Sequence, residues 1–165
     1  MHVAVLAGVI CAGGAALESL CAGKSIRKRL TELRYPRYSP SLRAWILIGA
    51  AYYVTCFVVW IRLLQLPDSA WRTAGFALAS SVMAVNAIWN LFFFRSRNLS
   101  HALICGIVYT TFAITLLLIL TRIDRTAALC FLPYAVYLAY ANLWGWQVWK
   151  LNTRCLVPGG NRTHI

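Results

Sequence analysis

Acidic side chains are nearly missing from this 165-residue sequence: Glu18, Glu32, Asp68 and Asp124 stand against sixteen lysines and arginines. Charged residues of both signs make up 12%, about half the share of a soluble domain. So few charges cannot cover a surface facing water, and lipid must cover part of it. The net charge of +12 does not point to nucleic acid, because the basic residues lie between long apolar runs rather than along one polar face. A basic excess beside apolar runs marks the cytoplasmic side of a membrane protein.

Motifs for chemistry are missing as well. The six cysteines, Cys11, Cys21, Cys56, Cys105, Cys130 and Cys155, form no CxxC and no Cys/His cluster at metal-ligand spacing. They read as free thiols packing like small apolar groups. The histidines, His2, His101 and His164, all lie near the ends of apolar runs, which argues against a haem ligand at His101. No carboxylate pair, no Ser/His/Asp set and no Gly-rich phosphate loop is found. No common catalytic constellation can therefore be proposed, and the expectation is a protein that is not an enzyme and requires no cofactor.

What remains is hydrophobic length. Five runs of roughly 20 residues, enough to cross a bilayer, cover 3–22, 44–64, 73–94, 99–120 and 126–151. The expected fold class is an all-α integral membrane protein, a five-transmembrane-helix bundle. It should form one domain over residues 1–152, followed by a flexible tail at 153–165. The first run lacks the basic n-region of a cleaved signal peptide, since only Met1 and His2 precede it. A long basic loop, residues 23–43, joins the first two helices. Its Tyr35-Pro36 and Ser39-Pro40 steps disfavour helix, and it is predicted to pack over one mouth of the bundle.

Twelve basic residues fall on one side of these spans: Lys24, Arg27, Lys28, Arg29, Arg34, Arg37, Arg43, Arg95, Arg97, Lys150, Arg154 and Arg162. Only Arg62, Arg72, Arg122 and Arg125 fall on the other. The N-terminus is therefore expected outside, with the long loop and the C-terminus cytoplasmic. The glycosylation patterns at Asn98 and Asn161 then lie on the wrong side and read as chance.

Polar groups in lipid turn towards the bundle interior. Asn86 and Asn90, one turn apart beside Trp89 and Phe93, form a mixed amide and aromatic stripe. Tyr134, Tyr137, Ala141, Trp144 and Gly145 lie along the fifth span, and Trp45, Gly49 and Tyr53 repeat every fourth residue in the second. Two readings stand side by side. One is an interior pocket for a large flat apolar ligand, oriented by an amide. The other is amides as interhelical glue and aromatics as core packing. Trp60, Trp146 and Trp149, near span ends, read as interface belt residues. Gly75 and Ala79, four apart in the third span, serve either a seam between two copies or close packing within one.

Two stretches resemble the TspO/MBR family, the tryptophan-rich sensory proteins that include the mitochondrial translocator protein. In the fifth span the sequence runs Ala128-Leu129-Cys130-Phe131-Leu132-Pro133-Tyr134, Tyr140-Ala141 and Trp149-Lys150-Leu151-Asn152. In the third it runs Asn86-Ala87-Ile88-Trp89-Asn90-Leu91-Phe92-Phe93-Phe94. Asp124, Tyr38-Ser39-Pro40-Ser41, Tyr53 and Trp60 also fit the family pattern. The resemblance spans nearly the whole chain. It implies an intramembrane pocket for porphyrins, in some members for sterols or drug-like ligands, and frequent homodimers. The expected ligand-binding residues are Asn86, Trp89, Phe93, Trp45, Gly49, Tyr53, Tyr134, Tyr137 and Ala141. In this chain Gly49 and Tyr137 replace two pocket tryptophans that the resemblance ties to light-dependent porphyrin breakdown, and Cys105 replaces an acidic residue. The sterol-recognition pattern at the end of the fifth span is not met. The expectation is therefore a binding protein for a porphyrin, haem or sterol-like molecule that senses, buffers or moves it. The rivals are a membrane assembly partner without a small ligand and a porphyrin-degrading enzyme.

Overall fold

A computed structural model describes residues 2–24 and 26–153. The expected tail therefore lies outside the described residues apart from Thr153, which ends the last helix, as do Arg154, Cys155, the Asn161 pattern, Arg162 and His164. Hydrophobic length decides the elements: α1 His2–Ala22, α3 Leu42–Gln65, α4 Ala70–Asn90 with a π-helical extension at Leu91–Arg95, α5 Leu99–Ile123 and α6 Arg125–Thr153 are each long and apolar enough to cross a membrane. Their outer faces carry large apolar side chains, such as Val9, Leu47, Leu118 and Val136, each more than 60% exposed. An exposed apolar surface of this extent is a lipid-facing one.

Short connections between the last four spans rest on local capping. Ser41, Ser69, Asn98 and Asp124 each accept a hydrogen bond from the backbone N–H three residues on, those of Ala44, Arg72, His101 and Ala127. Each such bond satisfies one of the amides that a helix start leaves unpaired. Asn98 thus has a structural task. Gly23 takes up the left-handed conformation (φ 70°) that closes α1.

The spans form a closed ring in the order α1, α3, α6, α5, α4 and back to α1, with α3 also touching α4. The half of the ring away from the 23–43 linker is solid. Leu63, Leu116, Leu120 and Phe131 are essentially fully buried there. Gly75 lets α4 approach α3, because a Cβ at this position would stand 2.9 Å from Leu63 Cδ2. Gly75 and Ala79 are both buried within the chain, where their small size serves close packing inside the bundle. Trp60 is a correction. It is 5% exposed, its indole N–H donates to the Met83 sulfur, and its ring packs on Phe76. It lies in the core, not in an interface belt. Trp146, 42% exposed with Lys150 over its ring, does lie outside.

The linker is not a loop throughout. Residues Ile26–Glu32 form a short helix, α2, and the two prolines follow it. Inside α2 the Arg29 side chain is buried and donates to the carbonyls of Phe93 and Arg97. The π turn leaves the Phe93 carbonyl open to this donor, since the Ser96 and Asn98 amides go to Leu91 and Phe92. Burial and the like charge of Arg97 push the Arg29 guanidinium down from its ordinary value, with Glu32 pulling the other way.

On the opposite side Asp124 joins α5 to α3 and α6. It accepts from Arg62 Nε at 2.8 Å and from the Ala127 amide at 2.8 Å. Burial pushes its carboxyl up, but the Arg62 guanidinium and the Ala127 and Thr126 amides outweigh this and hold it below the usual carboxylate range. A carboxyl whose folded value is depressed stabilises the fold above its unfolded value, and that contribution is lost as pH falls through the folded one. The melting temperature in neutral detergent is therefore expected to drop as pH falls below about 4. In Asp124→Asn, which can still cap α6 but cannot ionise, this part of the pH dependence should disappear. An unchanged pH profile in the variant would assign the acid sensitivity to another group.

Candidate functional site

The linker-side half of the ring is hollow. A cavity of about 330 Å³ lies between all five spans, beneath Ile26 and Leu30 of α2, within the size range of small-molecule sites. Its walls are mainly aromatic. Trp89 stacks on Phe93 with ring centroids 4.8 Å apart, and Phe93 in turn meets Trp144 at 5.7 Å. Trp45 stands edge-on to Trp144 at 4.9 Å. Tyr134 and Tyr137 continue this surface along α6.

The linker is fastened over this space chiefly by α6. Tyr35 stacks on Trp144, and the Trp144 indole N–H donates to Ser39 Oγ at 2.6 Å. The Tyr140 hydroxyl donates to the Tyr38 carbonyl. Asn152 is bonded in both directions to the Arg34 backbone at 3.0 Å. Trp144 is thus both cavity wall and anchor of the cover.

Three polar clusters face the hollow. In the first, the Asn86 amide donates to the Glu18 carboxylate of α1, and Asn90 Nδ2 donates to the Asn86 carbonyl. In the second, Asn142 donates to Thr110 Oγ1 at 2.6 Å and to the Leu138 carbonyl at 2.8 Å, which leaves its own Oδ1 as an acceptor beside Gly106. The third is the Tyr109–Tyr134 hydroxyl pair at 2.7 Å. Beside it the hydroxyl of Tyr52, a residue only 3% exposed, lies against the Cys56 thiol without a hydrogen bond of ordinary geometry.

Of the residues singled out from sequence, Asn86, Trp89, Phe93, Trp45, Gly49, Tyr134, Tyr137 and Ala141 all line the cavity. Tyr53 does not. It lies one position round α3 from Tyr52, with its hydroxyl directed at Glu18 but without a hydrogen bond of ordinary geometry. Apart from its chain neighbours and its own helix backbone, nothing stands within 4 Å of where a Gly49 Cβ would lie, so the space beside it is open and Trp45 does not refill it. Cys105 is buried off the cavity with its thiol on the Val85 carbonyl. The sequence-based reading missed Glu18, Tyr52, Tyr109, Thr110 and Asn142 as wall residues. Glu18 carried the clearest signal, as a carboxylate inside an apolar span.

A TspO/MBR family model matches residues 6–150 of the chain. The chain belongs to the TspO/MBR family. The matched stretch takes in every wall of the cavity and the linker above it. It is accordingly a TspO-like, integral multi-pass membrane protein. Among the described residues, no three His, Cys, Asp or Glu side chains come together as a metal group would require.

Proposed function

We propose that this TspO-like protein binds a flat apolar ligand, a tetrapyrrole such as a porphyrin or a sterol-like molecule, in the cavity beneath α2, so as to sense, buffer or move it. The observation that carries the reading is a hollow left in the bundle whose aromatic faces stand beside unused hydrogen-bonding groups. A bundle serving only as an assembly partner would gain by filling that space, because empty volume forfeits packing energy. Trp89 and Tyr137 offer ring faces, and Asn86 an amide at the wall. Arg27 and Lys28, exposed on α2, are available at the mouth for carboxylates on the ligand edge. Gly49 and Tyr137, in place of two tryptophans, favour binding over light-driven breakdown, and bound protoporphyrin should keep its spectrum under illumination. The linker face, with its basic residues, is proposed to be cytoplasmic and the N-terminus external.

The test is titration of the purified protein with protoporphyrin, followed by tryptophan fluorescence. Saturable quenching is expected, weakened about tenfold, or 1.4 kcal/mol, in Asn86→Ala and Tyr137→Ala. Absence of quenching, or quenching indifferent to both substitutions, would instead favour the assembly role.

A further inference from the structure

The fold treats its four acidic residues in two ways. Asp124 pairs with Arg62, Asp68 with Arg72, and Glu32 with Arg97, each pair at an end of the bundle. Glu18 is the one inside a span, and among the described residues no cation pairs with it. Its carboxylate accepts from the Asn86 amide and faces the Tyr53 hydroxyl. It also lines the cavity, together with Trp45, Tyr52, Trp89 and Phe93.

A carboxylate drawn away from water needs donors or a counter-charge. Asn86 supplies one neutral donor, and the two basic side chains nearest in sequence, Lys24 and Arg27, are exposed. Aromatic faces around the same space attract cations, with Trp the strongest. We propose that the ligand of this cavity carries one positive charge, a protonated amine on an otherwise flat apolar body, and that this amine docks on Glu18. The inference rests on the ligand-binding reading above and narrows it. Carboxylates on the same ligand belong at the mouth beside Arg27 and Lys28, away from Glu18.

The charge of the chain makes such a preference diagnostic. With a net charge of +12, the protein as a whole attracts anions and repels cations. A preference for a cation therefore has to originate at an interior negative group.

The experiment uses the full chain in a neutral maltoside detergent and three probes that share one ring system: 9-(aminomethyl)anthracene, 9-anthracenemethanol and 9-anthracenecarboxylate. Binding is read by quenching of tryptophan fluorescence. The amine is expected to bind about tenfold tighter than the alcohol, with the carboxylate weakest. In Glu18→Gln, which keeps an acceptor for Asn86, the preference should vanish, so that amine and alcohol bind alike. Equal affinities of the wild-type protein for amine and alcohol overturn the proposal, whether or not Glu18→Gln folds. A preference that survives in Glu18→Gln overturns it too. Failure of all three rings to bind overturns the ligand-binding reading itself, and that outcome is distinct from binding without charge preference.

Discussion

Trp144→Ala is expected to lower stability by about 3–5 kcal/mol, the range for deleting a large buried aromatic. Trp144 is 3% exposed and touches the rings of Tyr35, Trp45 and Phe93. Its indole N–H also holds Ser39. The substitution therefore removes wall, core and fastening together. In detergent the melting temperature should fall by about 10 °C. Trypsin should then cut the linker at Arg27 or Lys28 faster than in the parent protein, because the segment above the cavity has lost its main anchor. Trp144→Phe separates the contributions. It keeps most of the ring packing and loses one hydrogen bond, at about 1 kcal/mol. Equal losses in the two variants would mean that the Ser39 contact, and not packing, holds the cover.

Gly106→Leu should weaken ligand binding strongly while leaving the fold nearly as stable as before. Gly106 lies on α5 at the cavity wall. A Cβ there would stand 3.1 Å from Asn142 Oδ1 and 3.9 Å from Trp89 Nε1, so a longer side chain has to extend into the hollow. Helix propensity gains about 1 kcal/mol on replacing glycine, which offsets much of the 1–3 kcal/mol typical of overpacking. Protoporphyrin quenching should weaken by more than about tenfold, with a melting temperature within a few degrees of the parent's. Unchanged quenching would place the porphyrin on an outer face of the bundle.

The family and the number of spans were legible because both are written in local sequence. Hydrophobic length sets the spans, and Ser41, Ser69, Asn98 and Asp124 mark four of their starts by side-chain chemistry that acts over three residues. The Asn86–Trp89–Phe93 stripe was legible for a similar reason, since amides avoid lipid and helical spacing puts their neighbours on the same face. Other placements were not. Trp60 lies near a helix end, where an aromatic belt is the common outcome, yet it faces Met83 and Phe76. Tyr52 and Tyr53 are adjacent tyrosines, and spacing alone does not say which one meets the cavity. The α2 helix escaped notice because seven residues give too short a pattern, and the two prolines that follow weigh against helix.

Sequence alone determined that hydrocarbon surrounds this chain, that five helices cross it, and that the linker side carries most of the positive charge. Those properties depend on composition and run length, which do not change on folding. Tertiary structure decided which face of each helix turns inward. In lipid both the inner and the outer face of a span are apolar, so the sequence carries little amphipathic contrast to orient it. Only the packed ring brings Glu18 of α1 to Asn86 of α4, buries Gly75 against Leu63, and leaves a hollow under α2. Each of these follows from contacts between residues far apart in the chain, where side-chain shape and hydrogen bonding select the arrangement.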